Sequence, residues 1–392
     1  MKPVVILSAT RTPIGAFQGA LSSIAAPKLA AAAIKGALAA AKVKPEEISD
    51  VLMGNVLQAG QGQAPARQAA IYAGLPASAR TVTVNKVCGS ALQAMMQATH
   101  ALNAGMGTCY VAGGTENMSM SPYLLPKARE GFRLGHQQVV DSMITDGLWD
   151  PYNDQHMGRC AEQCATRYGF SREQQDAYAI ESFTRARAAQ GDGRVADELT
   201  PVEFTDAKGN VTSFSSDEGP AKVKFDKVPT LKPSFQKEGT ITAANASSLA
   251  DGASALLLCS EDLASMRGWT PLARIVSFGA HADDPLWFTT APVQATQRAL
   301  NAAGWSVDDV DLWEVNEAFA VVPLAFMKEL NVAHDRLNVR GGAIALGHPL
   351  GCSGARIVVT LLAALRERGL KRGVAAICIG GGEGLAVCVE RL

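Results

Sequence analysis

The chain has 392 residues, 47% hydrophobic and 19% charged, which exceeds one ordinary core and points to two or three domains. Its 36 basic and 37 acidic side chains leave a net charge of −1 with no block of one sign, which excludes a nucleic-acid-binding surface. The eight cysteines are scattered in apolar contexts without a disulfide-like framework, so reduced thiols in a cytoplasmic protein are expected.

Taken in chain order, "MKPVVILSATRTP" has an apolar run too short for a signal peptide and reads as a first buried strand. The alanine-rich stretch from Ile24 to Ala41 carries Lys28 and Lys35, which makes it a helix of the protein body and no membrane span. "KPEEISDVLMGNV" follows as an acidic turn and a strand ending at Asn55. "TVTVN" then alternates like a strand, and "ALQAMMQATHAL" has helical character, so Cys88 sits at a strand-to-helix junction. A thiol there faces the N-terminal amides and the positive end of the helix dipole, which lower its pKa. Its own amide and a neighbour's can serve as oxyanion donors. On this segment alone, the reading of Cys88 as a small buried hydrophobe prevails, since reactive cysteines are a minority of buried ones. "CYVAGGTE" closes the block as a buried strand ending at Glu116.

From about Ser119 to Leu249 the composition changes, with seven prolines between Pro122 and Pro233 and an Arg-rich helical piece at "SREQQDAYAIESFTRARAAQ". This middle segment reads as an excursion capping one end of a half, and "ASALLLCS" resumes the first half as a strand. Within it, His156, Cys160 and Cys164 stand at i, i+4 and i+8 and could share a helical face. No fourth ligand is nearby, so packing, with His156 turned to a ligand, is expected and no metal.

The second half repeats the first. "PLARIVSFGAHADD", "APVQATQRALNAAGW" and "SVDDVDLWEVNEA" match the first strand, helix, acidic turn and strand, with Asn316 opposite Asn55. "CSGARIVVTLLAALRERGLKRGVAAICIGGGE" matches the Cys88 block and ends at Glu383. Strands alternating with helices imply mixed, mainly parallel sheets covered by helices, hence an α/β protein of two similar halves. The divisions are 1–118 completed by 250–269, an inserted loop domain at 119–249, and 270–392.

In "GGAIALGHPLGCSGAR" five glycines crowd a turn that holds His348 before a helix, at the repeat-equivalent position to the Cys88 turn. Pseudo-symmetry can bring the two turns together, and Cys plus His is the minimal activated-thiol pair. "AAICIGGGEG" ends a buried strand at Cys378 and exposes backbone amides from Gly380 to Gly382, while Asn316 stands at another strand end. Cys378 could work as acid and base, and the Asn316 amide could hold a water or an oxyanion.

Together, "RTPIGAF", "VCGSA", "GGTENMS", "HMG", "NAS", "NEAFA", "GHPLGCSGAR" and "CIGGGEG" resemble the thiolase family, specifically its biosynthetic acetyl-CoA acetyltransferase type, over essentially the whole chain. The resemblance implies a thiolase-like duplicated α/β fold and the reversible condensation of two acetyl-CoA to acetoacetyl-CoA through an acyl-cysteine. It implies Cys88 as nucleophile, His348 as its base, Cys378 as acid/base toward the second substrate, and Asn316 as holder of an oxyanion-hole water. The amides of Cys88 and Gly380 match the second oxyanion hole. His156, Phe235, Ser247, Ala318 and Phe319 match positions near the pantetheine arm. Coenzyme A thioesters are the substrates, no cofactor is required, and a homodimer or homotetramer is expected. A degradative 3-ketoacyl-CoA thiolase for longer chains is the neighbouring alternative, and a non-catalytic CoA- or lipid-binding relative the remote one. Three positions depart from the pattern: Ala91 replaces a common Gly, Glu383 replaces a common Gln or Met, and "GPAKVK" follows "DE" where an Arg is common, leaving Lys222 or Lys224 as its substitute.

Overall fold

The computed structural model describes residues 3–205 and 209–392. Its first half runs β1 (Val4–Arg11), α1 (Ala26–Ala41), β2 (Asp50–Gly54), α2 (Pro65–Tyr72), β3 (Arg80–Val84), α3 (Ser90–Asn103) and β4 (Cys109–Asn117). The excursion carries α4 (Met157–Tyr168) and α5 (Arg172–Gly191), and the chain returns in β5 (Ala250–Ser260). The second half follows as β6 (Ala273–Ala282), α6 (Ala291–Ala303), β7 (Leu312–Val315), α7 (Val321–Leu330), α8 (Leu350–Glu367), β8 (Arg372–Ile379) and β9 (Glu383–Arg391).

These strands form one sheet in the order β7-β8-β9-β6-β1-β5-β4-β2-β3. Read outward from the β6–β1 seam, the halves have the same order, and Trp313 of β7 bridges Leu337 where the first half has β3. The sheet is mixed. β2 runs parallel to β3 and β4, and β7 parallel to β8, because a helical crossover joins each such pair. The inner pairings β1–β5, β5–β4, β1–β6, β6–β9 and β9–β8 are antiparallel. The balance therefore leans further toward antiparallel than the strand–helix alternation implied. The reason is that β9 returns on β8 through the tight Gly380–Gly382 turn, and β5 returns on β4 after the excursion.

Period-two alternation divides each strand between two cores. In β5, Leu256 and Leu258 face one cluster, whereas Ala255, Leu257 and Cys259 face another. The first cluster holds α3 and α8 between the two halves, with Leu92, Met95, Ile357 and Leu361 meeting Ile6 of β1 and Ile377 of β8. The second packs α1 and α2 on the outside of the first half. A third packs α4, α5, α6 and α7 on the outside of the second. α8 is buried without interruption from Leu350 to Leu365, which is why its sequence is largely apolar, with Ser353, Arg356 and Thr360 as its buried polar side chains. Each such leucine contributes about 1.5–3 kcal/mol through burial.

Missing side chains bring the central helices against the opposite half. A Cβ on Gly114 of β4 would lie 1.9 Å from the Gly351 carbonyl oxygen at the start of α8. A Cβ on Gly89, before α3, would lie 2.4 Å from Ile379 Cδ1 at the end of β8. The turns carrying Cys88 and His348 are thereby drawn to the same end of the molecule. Among the described residues, no helix is long and apolar enough to cross a membrane.

Candidate active site

Cys88 lies in a tight turn in which the Gly89 amide donates to the Lys86 carbonyl at 3.0 Å and the Ser90 hydroxyl to the Val87 carbonyl at 2.6 Å. Val87 takes φ +46°, a left-handed conformation that costs a β-branched residue about 1–3 kcal/mol and is held by the surrounding bonds. The backbone N–H groups of Cys88 itself and of Gly380 reach the thiol sulfur. Burial nevertheless pushes the thiol up to about 11, against the pull of those two donors, so it is protonated at rest.

His348 is buried, and its Nδ1 lies 2.6 Å from the Ser353 hydroxyl. That hydroxyl donates its single proton to the Pro349 carbonyl at 3.0 Å, so Nδ1–H must be the donor toward Ser353. Nε2 is then left with its lone pair, and the Asn316 side-chain amide faces it at 3.4 Å. Burial, reinforced by the charge of Arg356, holds the imidazole down to about 3. It is a neutral base whose basic nitrogen is fixed by a hydrogen bond on the other one.

Asn316 follows β7 and is anchored by its amide to the Ala376 carbonyl at 2.9 Å. Cys378, fully buried near the end of β8, has its thiol held well above the ordinary range by burial and then by the neighbouring Cys88 sulfur. Beyond it Gly381 and Gly382 take φ +92° and +86°, which lets the turn bring the Gly380 amide to Cys88.

Cys88, His348 and Gly380 line a cavity of about 580 Å³, and His156, Phe235, Ser247, Ala318, Phe319 and Lys222 line it with them. Asn316 and Cys378 lie behind this lining rather than on it. The His156 ring stacks on Phe235 at 4.7 Å, and Phe235 meets Phe319 edge-on at 5.9 Å, forming an aromatic wall. Lys222, rather than Lys224, reaches the cavity, with its ammonium 3.9 Å from Glu218.

His156 does not share a helical face with Cys160 and Cys164. It is the residue before α4, its Nδ1 accepting from the Gly158 amide at 3.0 Å, whereas both cysteines are buried within the helix. Among the described residues, no three His, Cys, Asp or Glu side chains are placed to hold a metal ion. Ala91 fills the space between Gly54 and Gly114, and Glu383 pairs with Lys86.

Three supporting residues escaped the sequence reading. Ser353 orients His348 and lies inside the glycine-rich motif that drew attention to that histidine. Glu116 accepts from the Asn55 side chain at 2.7 Å and from the amides of Val56, Leu57 and Gly351 at 3.0, 3.1 and 2.9 Å. Glu317 accepts from Tyr178, Ser182 and Asn338 at 2.8, 2.7 and 2.8 Å. The only advance signals were the repeated strand-end Glu and the adjacency of Glu317 to Asn316.

Residues 4–262 match the model of the thiolase N-terminal domain, and residues 269–391 that of the thiolase C-terminal domain. The chain is 50% identical to the acetyl-CoA acetyltransferase of Cupriavidus necator over 392 residues, covering 100% of both chains. It is equally 50% identical, over the same 100% of both chains, to the acetyl-CoA acetyltransferase of Pseudomonas aeruginosa. The crystal structure of the Bacillus anthracis acetyl-CoA acetyltransferase superposes with a TM-score of 0.97 at 40% identity, covering 100% of this chain and 99% of that one. That of the Ascaris suum Acat5 thiolase in complex with coenzyme A superposes at 0.94 and 43% identity, with 100% of both chains covered. With its two halves matched in full and relatives of this identity along its whole length, the chain belongs to the thiolase family.

Proposed function

We propose that the chain is an acetyl-CoA C-acetyltransferase that joins two acetyl-CoA into acetoacetyl-CoA and CoA, reversibly, through an acyl-cysteine on Cys88. The observation that carries the reading is the convergence of two backbone N–H donors on the Cys88 sulfur, in the same cavity as a neutral His348 whose Nε2 carries the lone pair and meets only the long 3.4 Å contact from the Asn316 amide. In the first step the thioester carbonyl replaces some of the thiol's contact with those donors. As the sulfur attacks, its proton passes to Nε2, and the growing oxyanion takes the amides of Cys88 and Gly380. The departing CoA sulfur takes that proton back from Nε2; once CoA has left, Cys378 passes its own proton to Nε2, which leaves a thiolate at Cys378 balanced by the imidazolium of His348.

That thiolate is a strong base because burial raises its conjugate acid. It removes the α-proton of the second acetyl-CoA, and the enolate oxygen is met by His348 and the Asn316 side, where a water would complete the donors. Carbon attack on the acyl carbon expels the Cys88 thiolate, which recovers its proton from His348. Every proton is accounted for, and the thioester energy is conserved through the acyl-cysteine.

The aromatic wall of His156, Phe235 and Phe319, with Ser247 and Ala318, suits a pantetheine arm, and Lys222 suits the phosphates beyond it. The eight cysteines, all unpaired, suit a reducing, cytoplasmic compartment. Tyr123, Leu125, Phe132 and Leu134 are each exposed in the excursion, which supports burial between subunits of a homodimer or homotetramer. The halves 1–118 with 250–269 and 270–392, and the inserted 119–249, are the domains of this reading.

The test is peptide mass spectrometry after exposure to acetyl-CoA, together with rates on acetoacetyl-CoA and a long 3-ketoacyl-CoA. An acetyl group on the Cys88 peptide and preference for the short substrate are expected. Acetyl found on Cys352 or Cys378 instead contradicts the assignment, and a faster long-chain rate would place the enzyme on the degradative side.

A further inference from the structure

We propose that the ion pair between Lys86 and Glu383 is a positioning clasp that holds the Cys88 and Gly380 amides at their working separation. The proposal rests on the reading of Cys88 as acyl acceptor. The two amides that reach the Cys88 sulfur come from segments almost three hundred residues apart, one from each half. Lys86 is two residues before Cys88, and its amide accepts no strain of its own, being bound to the Ser90 hydroxyl at 2.8 Å. Glu383 is three residues after Gly380 and opens β9. The Lys86 ammonium and the Glu383 carboxylate meet directly across this seam.

The seam is otherwise apolar. Gly89 packs on Ile379, and a Cβ on Gly380 would stand 3.5 Å from Val87 Cγ1. Such contacts resist compression but do not prevent sliding or opening. The turn beyond Gly380 is built of two left-handed glycines, which have little stiffness of their own, and Val87 is strained. The pairing of Ile379 with Glu383 and the Asp283 N–H donated to the Gly382 carbonyl at 2.9 Å hold the turn within its own half, and the charged contact ties it to the segment carrying Cys88. Its side chains are 24% and 37% exposed, so its worth to global stability is small. Its worth to the reaction is larger, because a displacement of one ångström at an oxyanion donor alters rate far more than fold.

The test follows acetyl exchange between labelled CoA and acetyl-CoA, which uses the Cys88 step alone. Lys86→Met and Glu383→Gln are each expected to lower kcat about 5- to 20-fold, with KM within about twofold, because the clasp positions donors that matter in the transition state. The reversed pair, Lys86→Glu with Glu383→Lys, should recover to within about threefold of the parent, whereas Lys86→Glu alone should be the poorest. Raising salt from about 0.05 to 1 M should slow the parent and leave Lys86→Met unmoved. Single variants that keep the parent kcat and lose only melting temperature, or a reversed pair no better than Lys86→Glu, would overturn the clasp. Absence of acetyl on Cys88 in the unaltered enzyme would instead overturn the function on which it rests, so the two failures are distinct.

Discussion

The two halves share strand order, outer helix and central helix, yet they differ at two places, and those differences make the enzyme. Before the central helix the first half places Cys88 and the second places His348. After the buried strand the second half turns at once through Gly380–Gly382 into β9, whereas the first opens into the excursion before returning in β5. A symmetric scaffold thus carries an asymmetric site. In the proposed mechanism the nucleophile comes from one half, and the base, the second thiol and one oxyanion donor come from the other. The excursion walls only one side, which gives a single cavity containing the reacting groups.

The counterpart position in the first half is closed by Glu116. Its carboxylate occupies the amides of Val56, Leu57 and Gly351, so the amides near Asn55 and the start of α8 are taken by protein. Duplication therefore supplied two similar strand ends, of which one was filled and the other left for substrate.

The sharpest way to break this comparison is to remove the base. His348→Asn keeps a hydrogen-bonding side chain near Ser353 but offers no imidazole nitrogen, and acetyl exchange should fall about 10²- to 10⁴-fold with the fold intact. Stopped-flow release of CoA from acetyl-CoA checks this directly. Next is Glu116→Ala, which strands four buried donors and should cost about 3 kcal/mol or more of stability, read as a lower urea midpoint. If its stability were unchanged, the filled-site account of the first half would be wrong.

Ser353→Ala should have a smaller effect. It frees the Nδ1 proton and lets the imidazole change tautomer or tilt, for a loss of about tenfold in acetyl exchange, the scale of one hydrogen bond. Ser353→Thr, which retains the hydroxyl, should recover part of it. The mildest probe is pH. With the Cys88 thiol raised to about 11 and His348 lowered to about 3, the resting pair is neutral at pH 7. Alkylation of Cys88 by iodoacetamide in the free enzyme should therefore keep rising from pH 7 to 10. A plateau reached by pH 6 would reveal a preformed thiolate–imidazolium pair.

Much of this architecture was legible because it is local or repeated. α8 announces itself by its match to the Cys88 block of the repeat, and α1 and α6 by the Ala-Pro pair at their starts. Cys88 and His348 stand out because glycines crowd turns at equivalent places in the repeat. What escaped depends on pairing at a distance. The antiparallel inner strands depend on where β5 lands after the excursion, which no local pattern records. His156 proved to be a cap rather than a helical residue because its imidazole competes for the Gly158 amide, a choice made by side-chain geometry. Glu116 and Glu317 acquire their roles from donors on other elements, and Lys86 meets Glu383 only once both halves have folded together.

The division of labour between the halves is tested most directly by Cys378→Ala, assayed twice on one preparation. Acetyl exchange between labelled CoA and acetyl-CoA reports the Cys88 step, in which His348 returns the proton to the departing CoA. Formation of acetoacetyl-CoA reports proton removal from carbon, which needs the second thiol. The account predicts that exchange persists at a substantial rate while condensation falls about 10²- to 10⁴-fold, the loss of a general base. An equal fall in both rates, with circular dichroism and melting temperature unchanged, would contradict it.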